Sequence, residues 1–224
     1  MKLLLTSGGI TNASIRDALV NLLGKPIADS NALCIPTAQY GHPRCTPGTA
    51  WRFVSGHSPA PMCDLGWKSL GLLELTALPS IADQRWVPWV READVLLVDG
   101  GDAVYLCHWM CKSGLAAILP SLSTTVWVGV SAGSMVMTPR IGQDFVNWEP
   151  PGGGDDTLGV VGFSIFPHLD HELMAENTLD NAERWAADIG GPAYAIDDQT
   201  AIQVVDGVPQ VISEGHWKFF LGTR

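Results

Sequence analysis

The segment Val126-Trp127-Val128-Gly129-Val130-Ser131-Ala132-Gly133 constrains this chain more than any other, because an apolar run without a polar face leads straight into a turn flanked by glycines. Such a run suits a strand buried on both sides in a parallel sheet, and glycine suits the place where backbone must turn tightly. The same grammar recurs. Lys2-Leu3-Leu4-Leu5-Thr6 runs into Ser7-Gly8-Gly9, and Asp94-Val95-Leu96-Leu97-Val98-Asp99 runs into Gly100-Gly101-Asp102. Helical spacing follows two of these turns, over residues 13–23 with Gly24 as a stop and over residues 103–113 with Gly114 as a stop.

The repeated order of strand, glycine turn and helix predicts an α/β fold with a doubly wound, mostly parallel sheet flanked by helices. Ligands of such sheets bind beyond the carboxyl ends of the strands, so the glycine turns mark the working edge. A further strand is expected over residues 32–37 and another over 70–78, where the periodicity is ambiguous. Residues 40–62, dense in Gly, Pro, His and Ser, are expected to form an irregular excursion. Residues 194–205 and 208–212, separated by Asp206-Gly207, predict a C-terminal hairpin that closes the sheet.

Composition narrows the function. The 224 residues, 46% hydrophobic and 16% charged, are read as one domain large enough to bury roughly 70% of its unfolded surface without metal or disulfide staples. A net charge of -10 repels phosphate backbones and anionic membrane surfaces, so no nucleic acid and no membrane is expected as a partner. No run approaches the roughly 20 apolar residues of a membrane span. The five cysteines include no metal-type C-x-x-C pair, and no signal-peptide pattern precedes the first apolar run, which predicts a cytoplasmic protein with reduced thiols. Cys107 and Cys111 are read as buried helix thiols, not as metal ligands. Nine tryptophans leave room for interface anchors in a homodimer, and core packing explains them equally.

Gly129-Val130-Ser131-Ala132-Gly133 is G-x-S-x-G between a strand and a helix, the setting of a nucleophile elbow. A serine hydroxyl is a weak nucleophile until a base takes its proton. Of six histidines, His168 is the favoured base, because Phe163-Ser164-Ile165-Phe166-Pro167-His168 reads as a short alternating strand ending at it. His171 is the rival, at the start of a polar helical stretch. His42, His57, His108 and His216 are read as loop, surface or core residues.

Asp198 is the favoured orienting acid, with its neighbour Asp197 and the more distant Asp144 as alternatives. The amides of Gly101 and Ala132 are the expected oxyanion donors, and Gly100 is expected to line the substrate site. Asp102 and Asp170 are candidate substrate-binding acids, able to attract a free amino terminus. Residues 148–156 read as a loop over the site. No metal or organic cofactor is needed for this chemistry.

Taken together, Lys2-Leu3-Leu4-Leu5, Val98-Asp99-Gly100-Gly101-Asp102, Val130-Ser131-Ala132-Gly133-Ser134, Phe166-Pro167-His168 and Ala195-Ile196-Asp197-Asp198-Gln199 resemble the serine peptidase family that contains aspartyl dipeptidase (peptidase E) and, more distantly, cyanophycinase. The resemblance spans nearly the whole chain. It implies a fold similar to class I glutamine amidotransferases, flavodoxin-like in plan, with serine in place of their cysteine. It also implies a nucleophile at Ser131, a base at His168 and short peptides as substrates.

Three departures stand out. The acid is commonly glutamate in the family, and Asp198 is one methylene shorter. Asp102 stands where relatives usually have asparagine. The helix after the histidine reads Glu176-Asn177-Thr178-Leu179-Asp180, without the arginine that clasps a substrate carboxylate, and none follows until Arg184. A bidentate arginine is not replaceable by leucine, so strict Asp-X specificity is not expected. Two other readings share these residues: hydrolysis of another acyl bond, such as a small ester or a cyanophycin-like amide, and a catalytically silent amidotransferase-like domain that binds a small ligand or partner.

Overall fold

Alternate residues of the first strand, β1 (Lys2–Thr6), enter two different cores, Leu4 on one side and Leu3 and Leu5 on the other. The computed structural model describes residues 1–222. After β1 come α1 (Ala13–Leu23), β2 (Asn31–Ile35), α2 (Pro47–Val54), β3 (Ser69–Leu72), α3 (Asp83–Glu92), β4 (Val95–Val98), α4 (Ala103–Ser113), α5 (Leu115–Ile118), β5 (Val126–Val130) and α6 (Ala132–Met135). The chain continues through β6 (Ser164–Phe166), α7 (Leu179–Ile189), β7 (Ala193–Ile196), β8 (Thr200–Val205), β9 (Val208–Ser213) and β10 (Trp217–Phe220).

Seven strands form the central sheet in the order β3-β2-β4-β5-β1-β8-β9. The first five are parallel, while β8 runs antiparallel to β1 and β9 antiparallel to β8. The two-sided burial expected from the apolar runs is seen residue by residue. Leu97 and Val128 pack with α1 and α2 on one face, and Leu96, Val98 and Trp127 pack with α3 and α4 on the other. The fold is therefore the α/β arrangement expected, with the first-turn glycines gathered at the carboxyl ends of β1, β4 and β5.

Local chemistry sets the helix ends. Asn12 accepts from the Ile15 amide at 2.9 Å to open α1, and Gly24 closes it with φ 69°. Asp102 opens α4 and Gly114 closes it with φ 85°. At the far edge, Asp206 and Gly207 both have positive φ, the requirement of a type I′ hairpin turn.

Five expectations need correction. Residues 194–205 are not one strand. Asp197 and Asp198 break the run, and β7 pairs with β6 and β10 in a separate three-stranded sheet. The strand expected over 70–78 is only β3, after which the chain turns away. The excursion at 40–62 contains α2, begun by Pro47 behind the Thr46 cap. Residues 164–166 do not alternate, being buried on both faces between the main body and α7. Finally, α6 is one turn long, so it offers free amides and little macrodipole.

The elbow glycines are required by close approach of backbone. A Cβ on Gly129 would collide with the Gly133 carbonyl, and one on Gly133 would collide with the Val98 carbonyl. Gly129→Ala is therefore expected to destabilise the protein by at least about 3 kcal/mol through overpacking, measured by urea denaturation; a loss under about 1 kcal/mol would contradict this packing.

Candidate active site

Ser131 sits between β5 and α6 with φ 50° and ψ -113°, a backbone conformation that L residues rarely adopt. Neighbouring chain holds it there. The Ser131 amide donates to the Thr6 carbonyl at 3.0 Å, and the Ser134 hydroxyl donates to the same carbonyl at 2.8 Å. The Thr6 hydroxyl in turn donates to the Gly129 carbonyl at 2.7 Å. The end of β1 thus clamps both sides of the turn that presents Ser131.

His168 follows β6 through Pro167 and also has a positive φ, 56°. Its Nδ1 lies 2.7 Å from Asp198 Oδ1, in the short loop between β7 and β8. Ser7 braces the pair. Its buried hydroxyl donates to Asp198 Oδ1 at 2.7 Å and accepts from the His168 amide at 2.7 Å. The shorter acid reaches because the chain comes close: a Cβ on Gly8 would lie 2.7 Å from Asp198 Cβ, and the Thr11 hydroxyl donates to the Asp198 carbonyl at 2.6 Å.

Burial pushes the Asp198 carboxyl up, but the hydrogen bond and charge of His168, with help from Ser7 and His171, outweigh it and hold the carboxyl below the usual aspartate range. His171 Nε2 stands 3.5 Å from Asp198 Oδ2, and its ring lies edge-on to that of His168 with centroids 6.0 Å apart. The segment that carries His171 is a series of turns, not a helix.

Neither alternative acid meets His168 among the described residues. Asp197 accepts from Thr200 Oγ1 at 2.6 Å and from the His216 amide at 2.8 Å, so it shapes the turn into β8. Asp144 lines an adjoining cavity with Arg184.

Ser131 and His168 line one cavity of about 320 Å³, at the small end of ligand sites. No hydrogen bond joins their side chains among the described residues. Gly100, Gly101 and Ala132 lie on the same wall, and neither the Gly101 nor the Ala132 amide donates to a protein acceptor among the described residues. Gly101 has φ 139°, and a side chain there would strike the Ala38 carbonyl. Three residues that sequence reasoning did not place at the site also belong to it: Ser7, His42 and Asp99. Ser7 was signalled only by its position at the end of a parallel strand, and His42 reaches the cavity from the turn after β2.

The sequence model for peptidase family S51 matches residues 3–212. The chain belongs to that family. Among solved structures, the chain superimposes on a peptidase from an acI-B1 Actinobacterium with TM-score 0.71 at 19% identity, covering 100% of this chain and 95% of that one. A protein of Listeria monocytogenes EGD-e, provisionally assigned to peptidase E, gives TM-score 0.67 at 18% identity, covering 96% and 98%. No curated protein sequence matches the chain significantly.

Against this S51 background, the two acids expected to bind substrate face other partners. Asp102 is fully buried, with Oδ1 accepting from the Tyr105 amide at 2.7 Å and Oδ2 accepting from the Asn147 and Trp148 amides, each at 2.8 Å. It presents no free carboxylate to the cavity. Asp170 pairs with His216 at 3.0 Å and stands outside the cavity lining. The glycines and prolines of residues 150–154 lie over α4 beside Cys107 and Cys111, so that segment is not a cover for Ser131; the two thiols are on the helix as expected but not buried, Cys107 being half-buried and Cys111 exposed.

Asp99, at the end of β4, is the one carboxylate on the cavity wall. It is 4% exposed and accepts from the Gly100 amide at 2.8 Å and Gln39 Nε2 at 2.9 Å. Burial pushes its carboxyl up to about 7 despite these two donors. Because the folded form holds its proton longer than the unfolded chain, this group makes stability fall as pH rises from about 4 to about 7 and level off above that. Asp99→Asn is expected to remove a fall on the order of 4 kcal/mol at most, seen as the difference between the two proteins' urea-unfolding free energies at pH 5 and pH 8. An unchanged difference between those pH values would show that Asp99 titrates normally.

Proposed function

We propose that this S51 peptidase is a serine exopeptidase that hydrolyses dipeptides or short peptides. Its nucleophile is Ser131, its general base His168 and its orienting acid Asp198. The observation that carries the reading is the strained elbow at Ser131, opening on the same cavity as an imidazole whose Nδ1 is already committed to a carboxylate.

The chemistry follows from that commitment. With Nδ1–H donating to Asp198, Nε2 keeps its lone pair and can accept the Ser131 proton as Oγ attacks the scissile carbonyl. Negative charge then develops on the carbonyl oxygen, where the unengaged amides of Gly101 and Ala132 receive it. The imidazolium returns its proton to the leaving amine, and water repeats the cycle on the acyl-enzyme. Substrate closure is expected to bring Ser131 and His168 into hydrogen-bond contact, since such contacts tighten in the bound complex.

Two features bear on the substrate. The small cavity favours short peptides over folded chains. No lysine or arginine among the described residues lines it, and Arg184 in the neighbouring cavity donates to Asn181 and to the Asp180 carbonyl, so strict preference for amino-terminal aspartate is not part of this proposal.

A dipeptide library and a serine-directed diphenyl phosphonate provide the test. Ser131→Ala is expected to abolish labelling and to reduce turnover below about one thousandth. His168→Ala should cost about 10²- to 10⁴-fold, and Ser7→Ala about tenfold through loss of a hydrogen bond to a charged group. Labelling and turnover that survive in Ser131→Ala would reject the serine mechanism; hydrolysis of small esters with no peptide cleaved would reject the substrate class.

A further inference from the structure

We infer that Asp99 is the recognition group for the free α-ammonium of the substrate's first residue, so that Ser131 releases that residue from the amino terminus. The inference rests on the serine-peptidase reading and adds to it the residue that recognises the amino terminus.

Position comes first. In an aminoacyl group the nitrogen is bonded to the carbon next to the reacting carbonyl, so its partner must stand close to both nucleophile and oxyanion donors. Asp99 immediately precedes Gly100, whose Cβ position lies 3.5 Å from Ser131 Cβ, and it is two residues before the Gly101 amide. The carboxylates that sequence reasoning offered for the same task, Asp102 and Asp170, are committed to amides and to His216.

Electrostatics supply the second reason. A buried carboxylate needs a compensating partner, and Asp99 has only two neutral donors, the Gly100 amide and Gln39. Among the described residues, the charged and titratable groups around it are the Cys34 and Cys63 thiols and the cavity histidines His42 and His168, with neither lysine nor arginine in the lining. An ammonium ligand supplies the missing cation through a charge-assisted hydrogen bond.

The same pairing serves the reaction. An unpaired carboxylate beside Gly101 opposes the negative charge of the tetrahedral intermediate, whereas a carboxylate paired with ammonium does so far less. Peptides with a blocked amino terminus therefore lose both binding and rate. Asp99 binds ammonium only when ionised, and its carboxyl in the free protein is raised to about 7, so the affinity for free-amine peptides is expected to rise with pH through that value.

The experiment compares a dipeptide with its N-acetyl derivative on wild type and Asp99→Asn, between pH 6 and pH 8. Phosphonate labelling at Ser131 is followed with free and N-acetylated aminoalkyl diphenyl phosphonates. Wild type is expected to favour the free amine at least about 100-fold in kcat/KM, with the preference weakening toward pH 6. Asp99→Asn should reduce it to within about tenfold, chiefly through KM, and abolish its rise between pH 6 and pH 7. The pH dependence of the labelling preference in wild type needs no variant and reads the same group if Asp99→Asn does not fold. Full preference in Asp99→Asn, or a pH-independent preference in wild type, overturns the inference. Equal, Ser131-dependent turnover of free and blocked peptides overturns it while leaving the peptidase reading intact; absence of any turnover and of any Ser131 labelling removes both.

Discussion

Two adjacent residues at the end of β1 hold the two halves of the site in register. The Thr6 carbonyl accepts from the amide of Ser131 and the hydroxyl of Ser134, fixing the strained turn on β5. Ser7, next in the chain, binds Asp198 and the backbone of His168, fixing the acid and the imidazole that arrive from a different sheet. This works because β1 lies between β5 and β8 in the sheet order. A parallel neighbour on one side brings the serine turn to its carboxyl end. The antiparallel neighbour on the other side starts at that same end, directly after Asp198.

The cavity that results has an unusual charge balance for a site expected to handle an oxyanion. Among the described residues its donors are neutral amides, its bases are imidazoles, and its one carboxylate is buried with no lysine or arginine beside it in the lining. A site of this composition is poorly suited to a substrate that brings a second carboxylate to the cavity wall. On the reading proposed above, a substrate that brings positive charge completes the electrostatics of the site, since the charge left without a partner on Asp99 is balanced on binding.

Much of the main sheet was legible because strands buried on both faces leave long apolar runs, and glycines mark the places where a side chain would strike backbone. Ser131 was readable for the same reason, since Gly129 and Gly133 report the closeness of chain around it. The small sheet was harder. Its strands are short, and β7 is contiguous with β8 in an apolar stretch interrupted only by Asp197-Asp198, so local pattern gives no sign that the chain changes sheets there. Ser7 was opaque for a different reason: its partners are residues 168 and 198, far along the chain, and spacing carries no trace of such contacts. Asp102 misled because its charge suggested a ligand, while its actual partners are three amides, two of them more than forty residues away.

That arrangement of Asp102 explains a substitution that sequence comparison by itself leaves arbitrary. All three of its partners are N–H groups, so both side-chain oxygens must be acceptors. The asparagine implied by the family resemblance would turn an NH2 toward one set of these amides, donor against donor, at a site closed to water. The carboxylate removes that conflict, and it also joins two segments that are otherwise independent. The first turn of α4 and the chain at Asn147-Trp148 share one anchor, with one carboxylate oxygen given to each, so a single buried side chain ties the start of that helix to a loop more than forty residues away.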